Sequence, residues 1–301
     1  MTWRAQSPEH FVVEEIPAYA PSGAGDHTFL WIEKRGLTTA EAIAALASAL
    51  GAREADAGYA GLKDRVAIAR QWISLAGVDP ERAAAVKLPG VRVLGAARHA
   101  HRLRTGHLRG NRFVVTEIDA GPRVAELAAR LAAIVAGGLA NRYGGQRFAR
   151  DNVARARAWL GGGAAPRDRR DRRMVVSALQ AHAFNAVLDA RAERGLPLRD
   201  PIEGDWCERG IPTGPMPGFR MPRPTEGSPA RVLEDEVLAR EAVSLDAFRG
   251  VGRIGRGARR PLVVVVESAT VERDGEHARL CFALPSGSYA TVLLEALGLG
   301  S

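Results

Sequence analysis

Alternating apolar and polar residues occur towards both ends of the chain and predict β-strands there. Near the start, HFVVEEIPAY (residues 10–19) and HTFLWIEKRG (residues 27–36) alternate and are separated by turn residues. Three further segments of this kind are RQWISLA, VRVLGAARH and NRFVVTEID. Near the C-terminus, RRPLVVVVESATVERDGEHARLCFAL predicts a hairpin that turns at Asp274-Gly275. Both ends of the chain are therefore expected to contribute strands.

Apolar residues spaced three to four positions apart predict helices among these strands. Thr38 and Glu41 form a capping-box pattern before AIAALASAL, which ends at Gly51. RVAELAARLAAIVAGGL predicts a second amphipathic helix that is closed by glycines. PSGSYATVLLEALGLG leads into a helix that closes the chain.

From about Asn152 the pattern changes to helices joined by loops rich in Pro and Gly. DRRMVVSALQAHAFNAVLDARAERGL predicts one long helix, whereas GPMPGFRMPRPTEGSP is too rich in Pro and Gly for regular structure. The pattern predicts an α+β fold with a first domain built from residues 1–151 and 256–301. Residues 152–255 would form a helix-rich insertion in it.

The charge balance indicates which partners to expect. The chain of 301 residues has 42 Lys and Arg against 34 Asp and Glu, a formal net charge of +8, and most of its cations are Arg. Arginine forks suit phosphates and base edges, so a nucleic acid is a candidate partner. A coding bias towards Arg would produce the same enrichment without any function.

Cysteine usage and hydropathy indicate the cellular compartment. Cys207 and Cys281 lie far apart, in no spacing typical of a zinc site or a disulfide framework. The first residues lack the apolar core of a signal peptide, and no apolar run approaches membrane-spanning length. We therefore expect a cytoplasmic protein without a membrane segment.

Three segments are candidates for contacts with nucleic acid. RHAHRLRTGHLRGNRF (residues 98–113) would suit a phosphate backbone. NRYGGQRFARDN (residues 141–152) combines aromatic rings with amide and guanidinium donors, as base readout in RNA requires, although a packed loop would look the same. RDRRDRR (residues 167–173) mixes both signs and favours a solvated helix entrance.

Metal and cofactor signatures are absent from the sequence. His99 and His101 occupy alternate positions but have no acidic or sulfur partner nearby, so no metal site is expected. The sequence contains no Walker loop, Rossmann fingerprint or nucleophile elbow. We therefore expect any chemistry to rest on side chains alone, without a cofactor.

One acidic residue has a suggestive setting in GYAGLKDRVAIARQWISL (residues 58–75), where Asp64 lies between Lys63 and Arg65. An Asp in a turn flanked by Gly is usually structural, because its side chain bonds the local backbone. A catalytic Asp would instead need neighbouring cations to keep it ionised. The segment alone favours the structural interpretation.

Four separated segments together resemble the signature blocks of the TruD family of tRNA pseudouridine synthases. They are GYAGLKDRVAIARQWISL, NRYGGQRFARDN, LQAHAFNAVLDARAERGL and LPSGSYATVLLEALG. HFVVEE and RGNRFVVTEID are similar to the family's flanking strands. The chain departs from the family in reading NRYG where the family has NYFG, and in carrying Tyr289 where the family often has Phe.

The resemblance implies a pseudouridine synthase core, with a mainly antiparallel mixed sheet flanked by helices, and an inserted TRUD domain. It implies isomerisation of a uridine in tRNA, typically at position 13, without a cofactor. Asp64 matches the catalytic aspartate, while Phe11, Asn141 and Tyr289 match substrate-contacting positions. Whether Asp64 attacks C1′ or removes the 2′ proton stays open.

The cation that keeps Asp64 ionised is also left open by the sequence. Lys63, Arg65 and Arg147 are candidates, but neighbours on an extended chain point to opposite faces, so the ion pair is not assigned. Arg104 and Arg109 are further candidates for RNA contacts. The implied partner is tRNA, with no obligatory protein partner and a monomeric state.

Two alternatives to the synthase are a non-catalytic RNA-binding or chaperone protein and a metal-dependent RNA hydrolase. The first would use the same basic surface. The second would use His99 and His101 with an acidic partner.

Overall fold

A computed structural model of the chain describes residues 3–299, apart from the side chains of residues 146, 149 and 150, and divides into two compact units. The first unit comprises the residues up to Val135 together with those from Val265 onward, and the second comprises Ala136–Val264. The second unit therefore begins earlier and ends later than the insertion expected at residues 152–255.

Strands dominate the first unit, and the second contains the longest helix. The strands are β1 (Phe11–Pro17), β2 (His27–Arg35), β3 (Gly58–Tyr59), β4 (Ile68–Ala76), β5 (Lys87–Leu88), β6 (Val91–His99), β7 (Leu108–Glu117), β8 (Leu139–Ala140), β9 (Cys207–Glu208), β10 (Ile211–Met216), β11 (Ala258–Pro261), β12 (Val263–Val264), β13 (Glu267–Asp274) and β14 (His277–Pro285). The α-helices are α1 (Thr39–Leu50), α2 (Pro80–Ala84), α3 (Val124–Gly137), α4 (Asn152–Leu160), α5 (Arg169–Glu193), α6 (Pro229–Arg240) and α7 (Ala290–Ala296). None of the helices within residues 3–299 is long and apolar enough to cross a membrane.

A nine-stranded sheet forms the framework of the first unit. Its order is β13-β14-β7-β1-β4-β2-β6-β5, and β3 pairs with β4. All neighbouring strands are antiparallel except β1 and β4, which run parallel with Val12 opposite Ile68. Parallel strands need a long crossover, and β2, α1 and β3 lie within it. The mainly antiparallel mixed sheet expected from the sequence is confirmed.

Helix α1 packs on the central strands because its apolar residues share one face. Ile43 and Leu46 are buried in one cluster with Leu30 of β2. The capping box is confirmed: the Thr38 side chain accepts a hydrogen bond from the N–H of Glu41, whose carboxylate accepts one from the N–H of Thr38. These reciprocal bonds satisfy donors that the first turn of a helix leaves free.

Helix α5 runs through the core of the second unit. Val176, Leu179 and Phe184 on this helix are almost inaccessible to solvent. A three-stranded sheet in the order β11-β10-β9 and a two-stranded sheet of β12 and β8 accompany the helix. Val263 pairs with Ala140 across β12 and β8. This pairing links the residues on either side of the expected insertion, which explains why the unit extends past residues 152–255.

Strand β10 enters the Pro/Gly-rich stretch for which the sequence predicts no regular structure. It includes Gly214 and Pro215, and Pro215 pairs with Arg259 of β11. A Cβ atom on residue 214 would lie 2.9 Å from the ring of Phe184 in α5, so glycine permits the helix to pack closely on the strand. Beyond residue 216 the stretch is irregular up to residue 228, as expected.

The hairpin at Asp274-Gly275 is confirmed over β13 and β14, but the apolar run before it belongs elsewhere. RRPLVVVV supplies β11 and β12 of the second unit instead of lengthening the hairpin. Val263 and Val264 are consecutive and both buried, so neither side of this strand faces water. A strand buried on both sides shows a continuous apolar run instead of alternation.

Candidate active site

Asp64 lies in the loop of residues 60–67, between β3 and β4. Its side chain is exposed, and among the described side chains and backbone of residues 3–299 no group forms a hydrogen bond or ion pair with its carboxylate. Its neighbour Lys63 is buried. The loop therefore presents a free carboxylate to solvent, while the chain on its N-terminal side turns inward.

Lys34 of β2 holds Asp64 through the backbone. Its Nζ donates to the carbonyl oxygen of Asp64 at 2.6 Å and to that of Leu37 at 2.6 Å. The Lys34 side chain has no exposed surface. Burial lowers the pKa of Lys34 to about 8, and the negative charge of Asp64 opposes this lowering. Lys34 is therefore a buried cation that interacts favourably with Asp64.

Two uncharged buried side chains hold other residues of the loop. The Oγ1 of Thr39 accepts a hydrogen bond from the backbone N–H of Lys63 at 2.8 Å and donates to Oε1 of Gln71 at 3.0 Å. Nε2 of Gln71 donates to the carbonyl oxygen of Gly61 at 3.3 Å. Leaving such a buried group unpaired costs about 1–3 kcal/mol. This connected set of bonds favours a single conformation of the loop.

The cations beside Asp64 in sequence have other carboxylate partners. Nζ of Lys63 lies 3.3 Å from Oε2 of Glu15, with both side chains almost fully buried, and Arg65 pairs with Glu41 at the surface. Burial lowers the pKa of Lys63 and raises the pKa of Glu15, and in each case the partner's charge opposes the shift. The ion pair that Lys63 makes in the structure is thus with Glu15.

Lys34 was not among the residues predicted from the sequence, although the pattern contains a sign of it. Alternation in β2 puts Lys34 on the same side of the strand as Ile32, which is buried. A lysine at an inward position needs hydrogen-bond acceptors close by. Its acceptor at Asp64 is 30 residues away along the chain, so the sequence pattern does not identify it.

The basic segment of residues 98–113 adjoins the loop of Asp64. The backbone N–H of Gly106 donates to the carbonyl oxygen of Ala60 at 2.8 Å. Arg104 and Arg109 are exposed on this segment. The structure therefore brings two arginines considered for RNA contacts into a segment that is hydrogen-bonded to the candidate catalytic loop.

Tyr289 follows the segment that adjoins Arg109. The chain leaves β14 at Pro285, which pairs with Gly110 of β7. The N–H of Ser286 then donates to the carbonyl oxygen of Arg109 at 2.9 Å. Tyr289 precedes α7 and is 58% exposed. Its ring is accessible for stacking on a base or packing on a ribose.

Phe11, in contrast, is packed in the interior. Its ring centroid lies 5.4 Å from that of Trp3 and 5.9 Å from that of Phe113. Only 8% of the residue is exposed. Its position fits packing beneath the surface of the first unit, and the substrate contact that the resemblance implies for Phe11 stays a prediction.

Asn141 belongs to the second unit, where both ends of its amide have partners. Its Nδ2 donates to the carbonyl oxygen of Pro261 at 2.9 Å, and its Oδ1 accepts from the guanidinium of Arg260. Nε of Arg260 also donates to the backbone carbonyl of Asn141 at 3.2 Å. A side-chain amide offers two N–H donors and two acceptor positions, so one of each is left for a uracil edge.

The ring of Tyr143 in the same unit is enclosed by cations and apolar groups. The Cζ atoms of Arg260 and Arg147 lie 4.2 Å and 5.3 Å from its centroid, respectively. Tyr143 also meets Phe184 edge to face at 5.9 Å. Arg147 donates to Oγ of Ser177 at 3.1 Å. The packed-loop interpretation therefore applies to Tyr143, and Arg147 is hydrogen-bonded to a residue of the second unit.

His99 and His101 belong to an aromatic cluster around Tyr19. The His99 ring stacks on Tyr19 at 5.3 Å, and the His101 ring lies edge-on to His99 at 4.5 Å. Nδ1 of His99 accepts a hydrogen bond from the N–H of Ser22 at 3.0 Å. In the part of the chain that the structure describes, no group of three or more His, Cys, Asp or Glu is arranged to hold a metal ion.

Comparison with known proteins identifies the family. A family model for tRNA pseudouridine synthase D (TruD) matches residues 4–155 and 207–297. The chain belongs to the TruD family of tRNA pseudouridine synthases. The matched ranges include Asp64, Asn141 and Tyr289. TruD enzymes are isomerases that convert uridine to pseudouridine.

Individual TruD relatives agree over nearly the whole chain. The tRNA pseudouridine synthase D of Anaeromyxobacter sp. (strain Fw109-5) is 41% identical over 324 residues, which cover 97% of this chain and 91% of the relative. A tRNA pseudouridine synthase D of Thermus thermophilus is 38% identical, covering 96% and 86%. A TruD crystal structure from Methanosarcina mazei has the same fold, with a TM-score of 0.81, 23% identity and coverage of 98% and 93%.

The TruD family model leaves residues 156–206 unmatched. This segment contains all of α5.

Proposed function

We propose that this chain isomerises a uridine in tRNA to pseudouridine and that Asp64 supplies the catalytic carboxylate. The observation that carries the proposal is the free, exposed carboxylate of Asp64 on a loop anchored by buried Lys34, Thr39 and Gln71. An aspartate serving only a turn would bond the local backbone, and Asp64 makes no such bond within residues 3–299. Membership of the TruD family supports the reaction type.

The reaction exchanges one bond for another within a single nucleotide. The N1–C1′ glycosidic bond breaks, the uracil turns, and C5 bonds to C1′. C5 then loses its hydrogen as a proton and N1 gains one, so atoms and electrons balance without a cofactor. Glycosidases usually need a second carboxyl group to protonate the leaving oxygen. Uracil can leave as a delocalised anion, so one carboxylate suffices.

Asp64 has two possible roles in this chemistry. It attacks C1′ to give a covalent ester, or it removes the 2′ proton to give a glycal. Both roles require the carboxylate to be ionised. The ammonium of Lys34 bonds the backbone carbonyl of Asp64 at 2.6 Å, and the charges of the two residues attract each other.

The target nucleotide must leave its stack before it can reach the site, at a cost of about a few kcal/mol. We propose that Tyr289, Arg104 and Arg109 receive the flipped nucleotide, since all three are exposed on segments linked to the Asp64 loop or to each other. Asn141 would read the uracil edge with its remaining donor and acceptor. The proposal further includes uridine 13 as the target and a monomeric enzyme in the cytoplasm that needs no cofactor or protein partner.

Tritium release from tRNA that carries C5-tritiated uridine tests the proposal, because C5 loses its hydrogen in the reaction. In the presence of EDTA, we expect release by the wild type and none by Asp64→Asn. Asp56→Asn is the matched control, because Asp56 is a partly exposed acid of the same unit whose partner is Arg53. Its release rate should equal that of the wild type. Undiminished release by Asp64→Asn would overturn the assignment of Asp64.

The same assay separates the two alternatives. A metal-dependent RNA hydrolase would cleave the chain, and EDTA would abolish that cleavage. A non-catalytic RNA-binding protein would bind tRNA in wild-type and Asp64→Asn forms and release no tritium. Either result would contradict the proposed isomerisation.

A further inference from the structure

The second unit contains an open cavity of about 590 Å³ at the start of α5. It is lined by Arg147, Asp168, Arg169, Arg170, Arg173, Met174 and Ser177. Arg169 and Arg173 lie four residues apart, and Arg170 and Arg173 three apart, so they share one face of the helix. The segment RDRRDRR therefore contributes three arginines to the lining of one cavity, and Arg147 contributes a fourth from another segment.

The positive charge of this cavity is largely uncompensated. Among the described side chains and backbone of residues 3–299, Arg169, Arg170 and Arg173 form no ion pair and no side-chain hydrogen bond. The single carboxylate in the lining, that of Asp168, accepts the N–H of Asp171 at 3.1 Å as the helix cap. Four guanidinium groups therefore face one carboxylate that is already hydrogen-bonded.

Several other arginines of the same unit have carboxylate partners. Arg194 pairs with Glu236, and Arg249 pairs with Asp246. Arg240 lies near the carboxylates of Glu193 and Glu241. Three arginines without a carboxylate partner are thus gathered at the cavity. Such a gathering produces a local positive potential that attracts anions.

A chain of contacts connects the cavity to Asn141. Arg147 donates to Ser177 in the cavity wall and stacks on the Tyr143 ring. Arg260 packs on the same ring and bonds the side chain of Asn141. The Tyr143 ring therefore contacts both Arg147, which lines the cavity, and Arg260, which bonds Asn141. Asn141 is the residue expected to bind the uracil edge.

We propose that this cavity binds phosphate groups of the RNA strand that carries the target uridine. Arginine forks bind phosphate oxygens in pairs, and an open cavity suits a continuous backbone better than a small enclosed anion. This inference rests on the proposed tRNA substrate. Arg169, Arg170 and Arg173 lie in residues 156–206, which the family model leaves unmatched.

The first test compares two triple variants that lose the same charge. One carries Arg169→Gln, Arg170→Gln and Arg173→Gln, and the control carries Arg194→Gln, Arg240→Gln and Arg249→Gln elsewhere on the unit. For the cavity variant we expect the Kd for tRNA to rise about 10- to 100-fold and the slope of log Kd against log salt to fall by about 2 to 3. The control should change Kd by less than about threefold. Equal effects in both variants would overturn the proposal.

A second measurement excludes misfolding and locates the contact. Gln keeps a good helix propensity, so the urea midpoint of the cavity variant should match that of the wild type. Replacing single phosphates near the target uridine by uncharged methylphosphonates should weaken wild-type binding at particular positions. The cavity variant should be insensitive at those same positions. If both proteins respond alike at every position, the cavity does not bind phosphate.

A third variant, with Arg169→Lys, Arg170→Lys and Arg173→Lys, keeps the charge but removes the planar fork. We expect its Kd to lie between those of the wild type and the glutamine variant. Failure of the proposed activity can be distinguished from failure of this inference. If the wild type releases no tritium but the cavity variants show the expected Kd changes, phosphate binding by the cavity is supported and the isomerisation is refuted. Tritium release without those Kd changes would support the isomerisation and refute phosphate binding by the cavity.

Discussion

The ammonium group of Lys34 donates a hydrogen bond to the backbone carbonyl of Asp64 across 2.6 Å. The same ammonium holds the carbonyl of Leu37, and the lysine has no exposed surface. A buried charge costs several kcal/mol unless its surroundings compensate it. Here the carbonyls and the charge of Asp64 offset part of that cost. The same contacts fix the backbone from which the carboxylate projects.

Replacing Lys34 should therefore impair turnover more than binding. Lys34→Met keeps much of the side-chain volume but leaves the carbonyl of Asp64 without its donor. A misplacement of about 1 Å can cost about 100-fold in rate, so we expect kcat for tritium release to fall about 10- to 100-fold while the Kd for tRNA changes little. Lys87→Met, at an exposed lysine of the same unit, is the control and should behave as the wild type. A purely structural role would instead lower the urea midpoint and leave kcat of the folded fraction unchanged.

The lowered pKa of Lys34 predicts how stability changes at alkaline pH. The pKa is about 8 in the folded protein against the ordinary 10.5. Between these values the unfolded chain binds a proton that the folded protein does not, so the free energy of unfolding should rise with pH, by at most about 1.4 kcal/mol per unit. Urea unfolding from about pH 7 to about pH 10 measures this change. Subtracting the free energy of unfolding of Lys34→Met removes the contribution of all other titrating groups. A wild-type-minus-variant difference that stays flat over this range would show that the pKa is not lowered.

In the buried pair of Lys63 and Glu15, each charge should offset the cost of burying the other. Lys63→Met or Glu15→Gln alone leaves a buried polar group without its partner, and we expect each to lower the free energy of unfolding by about 3–5 kcal/mol. The double variant should cost clearly less than the sum. Arg65→Met, which breaks a surface pair with Glu41, should cost less than about 1 kcal/mol. Additive losses in the Lys63 and Glu15 cycle would show that the two side chains do not interact.

Arg260 should act together with Asn141 in substrate recognition. Its guanidinium bonds the side-chain oxygen and the backbone carbonyl of Asn141, so Arg260→Gln would remove two hydrogen bonds of Asn141 and leave the side-chain bond to Pro261. We expect kcat/KM for tritium release to fall about 10-fold, as one lost charged hydrogen bond implies. Residues that act as a unit are not additive, so the double variant with Asn141→Ala should be little worse than Asn141→Ala alone. Multiplicative losses would show that Arg260 acts independently.

Helices and strands whose stabilising contacts join residues close together in sequence could be predicted from the sequence. The helix after Thr38 is such a case, because its capping partner Glu41 is only three residues away. The hairpin at Asp274-Gly275 is another, since its two strands are adjacent. The run RRPLVVVV was misjudged because burial on both sides removes the alternation by which a strand is assigned to a sheet.

The candidate site was predictable in its residue types but not in its contacts. The resemblance of several segments to one family singled out Asp64, whereas the local residues favoured a turn. Neither indicated that Lys63 pairs with Glu15 or that Lys34 bonds the backbone of Asp64. The buried lysine that bonds the backbone of Asp64 comes from another strand, so its contact depends on how β2 pairs with β4.

Periodicity and motif spacing thus decide which residues form strands and helices, which side of each element is apolar, and which acid stands in the family motif. The partners of the polar groups depend on how distant segments pair. Lys34 and Asp64 are 30 residues apart, and Arg260 and Asn141 are 119 apart. Apolar burial is non-directional, so a one-dimensional pattern records it. Hydrogen bonds and ion pairs need atoms at defined distances and angles, and only the folded chain brings those atoms together.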